Sequence, residues 1–366
     1  MNALKAQIFN LLAIKQVDEN TFSTDTVWIN SGGRGVYGGQ LVSQSLASAI
    51  LTVDPDFYPH SLQSYFLLAG KPGSPFTFHV ERIRDGRSFA SRAVRVKQNG
   101  KLIFTLNCSF AKPEESTAFH QFAMPKVYAP EDSTQVLGNS QKDNHNMRIG
   151  NFIIDQNNKI MNTLDFKTKI AVPVDKKLRS NFDLGINDHL DSLKENSASK
   201  LNKNDIRIPY NLRWMKINNL GTEKRHKSLD LLLLACVSDY RILTTTALPH
   251  FFGYNYNQSN LGITVSLDHV LYFHSPSSAD MSDWVLFEAE SSFSGNGRGY
   301  VTGRFFSRKT GELIASASQE VLLRVNSIPG SSPNSRLVFD NSPPKFISSA
   351  TENNDTSETE IVSSKL

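Results

Sequence analysis

The 366-residue chain is predicted to be an α+β protein made of two copies of one unit, each an antiparallel sheet wrapped around a central helix. Three observations support this prediction. Two stretches of the chain align with each other without a gap, each half has one apolar helical stretch ahead of several strands, and no helical stretch separates those strands. Strands without helices between them cannot form parallel crossovers, so we expect antiparallel pairing.

The helical stretch comes first in each half. Residues 38–53 place apolar side chains at helical spacing, and residues 229–243 are apolar enough for a buried helix. Each of these stretches is therefore predicted to be the helix at the centre of its own unit.

The strands that follow form an internal repeat. Residues 86–110, GRSFASRAVRVKQNGKLIFTLNCSF, align at a constant offset of 211 with residues 297–321, GRGYVTGRFFSRKTGELIASASQEV. Both copies have the pattern of strand, turn and strand, with the turns centred on residues 99–100 and 310–311, which is typical of a β-hairpin. The repeat predicts that the two halves share one topology.

Composition divides the chain into four segments. Residues 116–205 are rich in Asn, Lys, Asp and Ser and are predicted to be an exposed connector or insertion, within which IGNFII and KIAVPV are candidates for short ordered stretches. Residues 327–366 cannot bury enough apolar surface to fold and are predicted to form a flexible tail. The N-terminal unit then spans residues 1–115 and the C-terminal unit residues 206–326.

Composition and charge also exclude several classes of protein. With 39% apolar and 20% charged residues the chain is expected to be soluble and globular, and a net charge of +4 does not indicate nucleic-acid binding. The longest apolar run, residues 231–237, is far shorter than the ~18 residues of a membrane-spanning helix. Cys108 and Cys236 each lie in an apolar run, so we expect free thiols in a reducing compartment.

The chain closes with Ser364, Lys365 and Leu366, the tripeptide that the peroxisomal import receptor recognises at a free C-terminus. A flexible tail would present such a tripeptide well. The sequence therefore predicts the import receptor as a partner and the peroxisomal matrix as the location. The alternative is that this ending arose by chance.

A glycine motif at residues 33–38 has the form G-x-G-x-x-G and opens a helix, as in dinucleotide-binding proteins. An antiparallel series follows it instead of a second parallel strand, so NAD or FAD binding is not predicted. We interpret the glycines as a tight turn into the helix that leaves free N–H groups at its N-terminus. G-x-S-x-G, H-E-x-x-H and C-x-x-C are absent, which removes the common hydrolase elbow and zinc arrangements.

Asp239 is the strongest candidate for a functional residue. It follows LLLLACV on the predicted buried helix of the second unit, where an unpaired carboxylate would be costly to desolvate. A helix cap or an exposed turn is the alternative interpretation. Histidines such as His269 and His274 are interpreted as structural or surface groups, since no motif surrounds them.

Seven blocks distributed over both units carry a family resemblance: GRGVYGGQLVSQSL, HSLQSYFLLAGKP, VERIRDGRSFASRAVRVKQNGKLIF, RWMK, CVSDYRILTTTALPH, SLDHVLYFH and ASASQE. In these blocks the chain resembles the type II acyl-CoA thioesterases, which comprise bacterial thioesterase II and the peroxisomal acyl-CoA thioesterases of fungi and animals. The resemblance covers most of both units but neither the connector nor the tail. It implies a double hot-dog fold, with two tandem antiparallel sheets each wrapped around a central helix.

The resemblance also implies a catalytic triad, confined to the second unit, of Asp239, Ser266 and Gln319. Bacterial members generally have Thr where this chain has Ser266, a change that keeps the hydroxyl group. The first-unit position that aligns with Gln319 is Cys108, so the first unit is expected to serve as scaffold and substrate wall. One site per chain follows.

Thioester hydrolysis requires one positioned and partly deprotonated water and a means of stabilising the oxyanion. In the implied site Asp239 is the base or water-orienting carboxylate, while Gln319 and Ser266 hold the water and the carboxylate. Direct attack by Asp239 through an anhydride remains an open alternative.

The expected reaction converts fatty acyl-CoA to free fatty acid and CoA without a metal or redox cofactor. The first alternative is another acyl-CoA enzyme on the same fold, such as a hydratase, which would require a His/Asp motif that the sequence lacks. The second is a non-catalytic acyl-CoA-binding protein. The resemblance further implies a homo-oligomer, either a dimer or a tetramer.

Overall fold

The protein is described here by a computed structural model. The described residues are 3–24, 27, 35–132, 146–149, 164–175, 208–218, 220, 225–250, 261–325, 336–340 and 345–350. The predicted targeting tripeptide 364–366 lies outside them. Within these ranges, every helix is too short or too polar to cross a membrane.

The first half begins with a helix and two short strands and continues with a long helix and four long strands. These elements are α1 (Ala3–Leu12), β1 (Ile14–Gln16), β2 (Thr21–Thr24), α2 (Gly38–Ile50), β3 (Tyr58–Phe66), β4 (Phe76–Asp85), β5 (Phe89–Gln98) and β6 (Lys101–Ala111). Every residue of α2 after Gly38 is buried, as the apolar spacing predicted. Asn99 and Gly100 both have positive φ, the geometry that lets a two-residue turn match the twist of its strands.

The remaining elements repeat this order after two intervening strands. They are β7 (Asn146–Ile149), β8 (Leu164–Ile170), β9 (Tyr210–Asn218), α3 (Lys227–Ser238), α4 (Thr244–Ala247), β10 (Leu261–Ser266), β11 (Asp268–Phe273), β12 (Val285–Gly295), β13 (Arg298–Ser307), β14 (Leu313–Val325), β15 (Arg336–Asp340) and β16 (Lys345–Ala350). Strands β5 and β6 correspond in order and pairing to β13 and β14, although the register across the pair differs by two residues, with Arg92 opposite Cys108 but Val301 opposite Gln319. The internal repeat is therefore a structural repeat.

The two halves share one antiparallel sheet. Its strand order is β1-β2-β4-β5-β6-β3-β11-β14-β13-β12-β9-β8-β7, with β10 paired to β14 as well. The halves join where β3 pairs with β11, for example with Asp268 opposite Tyr65 and Leu271 opposite Leu62. The α+β double hot-dog class is confirmed, but its two sheets are fused edge to edge. An unpaired sheet edge is a liability, and this pairing removes one edge from each half.

The two central helices lie in one hydrophobic core. Leu41 and Leu46 of α2 belong to the same buried cluster as Leu231 and Leu234 of α3. The N-terminus of α2 meets the C-terminus of α3, where the Tyr37 hydroxyl donates a 2.7 Å hydrogen bond to the Cys236 carbonyl. This contact between helix ends places residues from both halves at one point.

Part of the predicted connector, residues 116–205, is ordered and contributes strands to the second half of the sheet. Strand β8 pairs with β9, and β7 pairs with β8. Phe166 of β8 is buried and meets the Tyr240 ring edge-on at a centroid distance of 5.0 Å. The polar average over the connector hid the alternating pattern LDFKTKI, which suits a strand with one buried face.

The predicted flexible tail, residues 327–366, also contains ordered structure. Strands β15 and β16 form an antiparallel hairpin, and Phe339 packs against a second hydrophobic cluster that includes Trp284 and Phe306. The short apolar segments RLVFD and KFIS were masked by the polar residues around them. Tail composition alone was therefore a poor guide to local pairing.

Candidate active site

Asp239 lies at the end of helix α3, not within it. The helix ends at Ser238, and Asp239 takes the C-cap position with a side chain that is only 6% exposed. A carboxylate at the C-terminus of its own helix faces the negative end of the helix dipole, which is unfavourable. Its burial therefore requires hydrogen-bond donors from elsewhere in the fold.

Two of those donors come from the strands that the resemblance pointed to. The Gln319 Nε2 atom on β14 donates to Asp239 Oδ1 at 3.1 Å and also contacts the Ser266 hydroxyl. The Ser266 hydroxyl, at the end of β10, lies 3.4 Å from the same Oδ1 atom. Ser266 and Gln319 stand 53 residues apart in the sequence, and the fold brings both to Asp239.

A third donor comes from the first half of the molecule. The backbone N–H of Gly39 donates to the Asp239 carboxylate, at the positive end of the α2 dipole. A Cβ atom on Gly38 would lie 2.6 Å from Asp239 Oδ2, and one on Gly39 would lie 2.0 Å from the Cys236 carbonyl oxygen. Glycine at these two positions therefore allows the two helix ends to approach this closely.

The expected role of the first half as scaffold and substrate wall therefore needs to be extended. Gly39 is a first-half residue, yet its N–H group stabilises the ionised form of Asp239. Of the glycine motif 33–38, Gly33 lies outside the described residues, whereas Gly38 opens α2. The helix N-terminus holds a side-chain carboxylate, and no second parallel strand of a dinucleotide-binding unit follows it.

The environment of Asp239 sets its protonation state. Burial raises the pKa of this carboxyl group to about 6, against the lowering effects of the hydrogen bonds from Gln319, Gly39 and Ser266. Its titratable neighbours, Tyr37 and Cys236, are buried as well, which raises the pKa of both. A carboxylate with a pKa near 6 is mostly ionised at neutral pH and basic enough to accept a proton from water.

Two further polar residues belong to this cluster and were not predicted from the sequence. His269 on β11 is fully buried, with Nδ1 3.2 Å from Gln319 Oε1 and Nε2 2.8 Å from the Ser238 hydroxyl. The sequence alone had suggested a structural or surface role for His269. Two sequence positions were available as indications of these contacts. His269 lies three residues after Ser266, and Ser238 directly precedes Asp239.

His274 lies apart from this cluster. Its Nε2 atom is 2.9 Å from the hydroxyl of Ser316 on the neighbouring strand, at an exposed position. This contact agrees with the surface role expected from the sequence.

Metal binding has no support among the described residues, where no three His, Cys, Asp or Glu side chains are grouped to hold an ion. The expectation of a reaction without metal or redox cofactor stays a prediction. The chemistry available at the site is that of a carboxylate base flanked by amide, hydroxyl and backbone N–H donors.

Comparison with known proteins gives a consistent result. A model of the acyl-CoA thioesterase N-terminal domain matches residues 26–111, and a model of the acyl-CoA thioesterase C-terminal domain matches residues 171–323. Acyl-coenzyme A thioesterase 8 of Rattus norvegicus is 33% identical over 319 residues, which cover 87% of this chain and 88% of the relative.

Two further proteins extend the comparison. A Saccharomyces cerevisiae protein named peroxisomal acyl-coenzyme A thioester hydrolase 1 is 27% identical over 326 residues, which cover 79% of this chain and 86% of the relative. The crystal structure of an acyl-CoA thioesterase II from Mycobacterium marinum has a TM-score of 0.59 and 26% identity. That match covers 87% of this chain and 99% of the other.

Proposed function

The chain belongs to the type II acyl-CoA thioesterase family, and from that premise we propose that it hydrolyses fatty acyl-CoA at the cluster of Asp239, Ser266 and Gln319. The protein is a thioester hydrolase. The observation that carries the proposed site is the convergence of three hydrogen-bond donors on one buried carboxylate with a raised pKa.

In the proposed reaction Asp239 accepts a proton from water as the water oxygen attacks the thioester carbonyl carbon. The tetrahedral intermediate collapses with cleavage of the C–S bond, and the CoA sulfur leaves as a thiolate. The thiolate takes up the proton held by Asp239, which restores the carboxylate. Gln319 and Ser266 orient the water and the carboxylate. The positive end of the α2 dipole lies beside Asp239 and is suited to stabilise the developing oxyanion.

The alternative chemistry, direct attack by Asp239 to form an anhydride, is less favoured by the contacts. Oδ1 already accepts from both Gln319 and Ser266, and Oδ2 lies against the backbone at Gly38. A carboxylate held in this way is better placed to accept a proton than to move onto a carbonyl carbon. Rapid quenching followed by intact-protein mass spectrometry tests this choice, because an anhydride would add the mass of one acyl group.

The central experiment is free-thiol release from palmitoyl-CoA and from a short-chain acyl-CoA. We expect Asp239→Asn to lower kcat by roughly a thousandfold or more with the fold intact, because it removes the base. Asp230→Asn is the matched control: Asp230 is also a buried carboxylate on α3, but it bonds Arg225 and the Met281 N–H. That control should retain kcat.

Two results would contradict the proposal in different ways. Full turnover in Asp239→Asn would remove the proposed site while leaving the hydrolase activity. Binding of acyl-CoA by the parent protein without thiol release would make it an acyl-CoA-binding protein on a hydrolase fold.

The pH dependence of the reaction follows from the raised pKa of Asp239. A general base must be ionised, so kcat/KM should rise with pH through about 6 and level off above that value. A rate that falls over this range would contradict the assigned role.

We also propose that the protein acts in the peroxisomal matrix as a homodimer or homotetramer. Support for the location comes from Ser364, Lys365 and Leu366 and from the similarity to the yeast protein named as peroxisomal. Deletion of Leu366 should leave kcat unchanged and move an N-terminally tagged protein to the cytosol. Continued import would indicate another signal or a co-imported partner, and light scattering would measure the oligomeric state.

A further inference from the structure

We propose that His269 is a positioning residue that fixes the orientation of the Gln319 side-chain amide. The inference rests on the proposed hydrolysis of acyl-CoA at Asp239. His269 is fully buried on β11, beside the strand that carries Gln319, and the proposed reaction gives it no chemical step. A buried imidazole in this position requires a reason, because burial of a polar ring is costly unless both nitrogens are satisfied.

The orientation of the Gln319 amide matters because its two ends have opposite hydrogen-bonding character. In the observed orientation Nε2 donates to Asp239 Oδ1 at 3.1 Å and contacts the Ser266 hydroxyl. Rotation of the amide by half a turn preserves its shape but places Oε1, an acceptor, against the acceptor oxygens of Asp239. The reversed amide would lose its donor to the carboxylate and to the Ser266 hydroxyl.

The hydrogen-bond directions around His269 follow from the ionised carboxylate. A carboxylate only accepts, so Nε2 of Gln319 must face Asp239 and Oε1 must face the imidazole ring. Because Oε1 also only accepts, the Nδ1 atom of His269, 3.2 Å away, must carry a proton.

The other ring nitrogen then follows. Burial lowers the pKa of His269 to about 4, so at neutral pH the ring is uncharged and Nε2 has no proton. Nε2 therefore accepts from the Ser238 hydroxyl at 2.8 Å. That hydroxyl also lies 3.0 Å from the Ala235 carbonyl, but its single proton is directed to the ring.

The result is a closed chain of donors from Ser238 to His269 to Gln319 to Asp239. Its first and last members are consecutive residues at the end of α3, so both ends are held by the same helix turn. The His269 backbone is fixed as well, because the Ser64 hydroxyl of β3 donates to its carbonyl at 2.9 Å. Such supporting contacts hold a reactive group in one geometry.

The first test uses three substitutions of His269 in the full chain. Asn places a side-chain nitrogen near the position of Nδ1 and can still donate to Gln319, whereas Gln reaches toward Ser238 and Leu donates to neither. We expect His269→Asn to keep kcat within about threefold. His269→Gln and His269→Leu should lower kcat roughly tenfold with KM within about twofold, because the lost orientation affects the chemical step.

The pH profile separates positioning from a merely structural role. The titratable groups around Asp239 are Tyr37 from α2, Cys236 from α3 and, through Gln319, His269. Burial keeps all three uncharged near pH 6, so the acid limb of kcat/KM reports on Asp239.

A reversed Gln319 amide removes a donor from the Asp239 carboxylate, which raises its pKa. The acid limb of kcat/KM should therefore move to higher pH in His269→Gln and His269→Leu. The Asn variant should keep the limb of the parent. An unchanged limb in both the Gln and the Leu variants would overturn the inference.

A second measurement determines the tautomer of His269 in the parent protein. Nitrogen NMR of the 15N-histidine-labelled parent should show a protonated Nδ1 and a bare Nε2 for His269, with the resonance assigned by its loss in His269→Asn or, failing that, by its shift in Ser238→Ala. The opposite tautomer would overturn the inference. Failure of the proposed function is separately visible, since it would appear as absent thiol release by the parent while the tautomer could still be read.

Discussion

The C-termini of the two central helices carry charges of opposite sign in the two halves of this molecule. In the first half α2 is capped by Leu51, and the buried Arg92 guanidinium donates to the carbonyl and the hydroxyl of Thr52. A cation at a helix C-terminus is favourable. In the second half α3 is capped by Asp239, an anion at the negative end of its helix.

The repeat makes this difference explicit at two aligned positions. At the offset of 211, Cys108 aligns with Gln319. Across the strand pairs, Arg92 lies opposite Cys108 and Val301 lies opposite Gln319. The first half thus fills the space beside its helix end with a stabilising cation, whereas the second half places donors around a carboxylate. Groups that oppose folding locally are common at functional sites, where the rest of the fold compensates for them.

The comparison also shows that neither half is complete by itself. The carboxylate belongs to the second half, but one of its donors is the Gly39 N–H of the first. One helix end is therefore stabilised by a cation, whereas the other carries a buried carboxylate that depends on the neighbouring half. The following predictions test this division, in order of decreasing effect.

Replacement of the reactive carboxylate should stabilise the fold. The pKa of Asp239 is about 6 when folded against an ordinary 3.8, so its ionisation opposes folding increasingly between these pH values and fully above 6. Asp239→Asn should raise the free energy of unfolding by up to ~3 kcal/mol at pH 8 and by little near pH 3.5. Urea unfolding at both pH values measures this, and an equal gain at both would contradict it.

The aligned positions 319 and 108 should respond very differently to truncation. Gln319→Ala removes a donor to the carboxylate and should lower kcat by about a hundredfold. Cys108→Ala alters a buried thiol of the first half and should change kcat by less than about twofold. Comparable losses in the two variants would show that the halves share catalysis more evenly than proposed.

The stabilised helix end should matter for folding and not for turnover. Arg92→Met leaves the buried Thr52 acceptors without their donor and should lower the free energy of unfolding by about 2 kcal/mol. Arg95→Met on the same strand is the control, because its pair with Glu81 is exposed and worth at most about 1 kcal/mol. A large loss of kcat in folded Arg92→Met would contradict a purely structural role for Arg92.

A hydroxyl group at position 266 should be needed for function, whereas either Ser or Thr should be able to supply it. Ser266→Thr keeps a hydroxyl that can reach Asp239 Oδ1 and should hold kcat within about threefold. Ser266→Ala removes the group and should lower kcat by roughly tenfold. Equal activities in the two variants would exclude a role for the hydroxyl.

The two cysteines, one in each half, should have the same low reactivity. Cys108 and Cys236 are both buried free thiols, and burial raises the pKa of each, so neither presents a reactive thiolate. A disulfide reagent should label neither in the native protein and both after unfolding. Labelling of the native protein would show that one half opens in solution.

Much of the fold was predictable because the relevant patterns are local. The helical spacing in residues 38–53 predicted α2, and the turn at Asn99-Gly100 predicted the hairpin of β5 and β6. Asp239 was detectable as a carboxylate directly after an apolar run. Ser266 and Gln319 were not detectable in this way, and only a family resemblance indicated them.

The amino-acid sequence by itself determined the repeat, because two segments of the chain align with each other. It also determined the α+β class, the central helices and the most unusual carboxylate, since each of these depends on patterns within a few residues. The tertiary structure alone decided that β3 and β11 fuse the sheets, that Gly39 reaches Asp239, and that His269 contacts Gln319. These last contacts join residues 200 and 50 positions apart. The physical reason is that such pairs form only when packing brings distant elements together, and no local pattern encodes that packing.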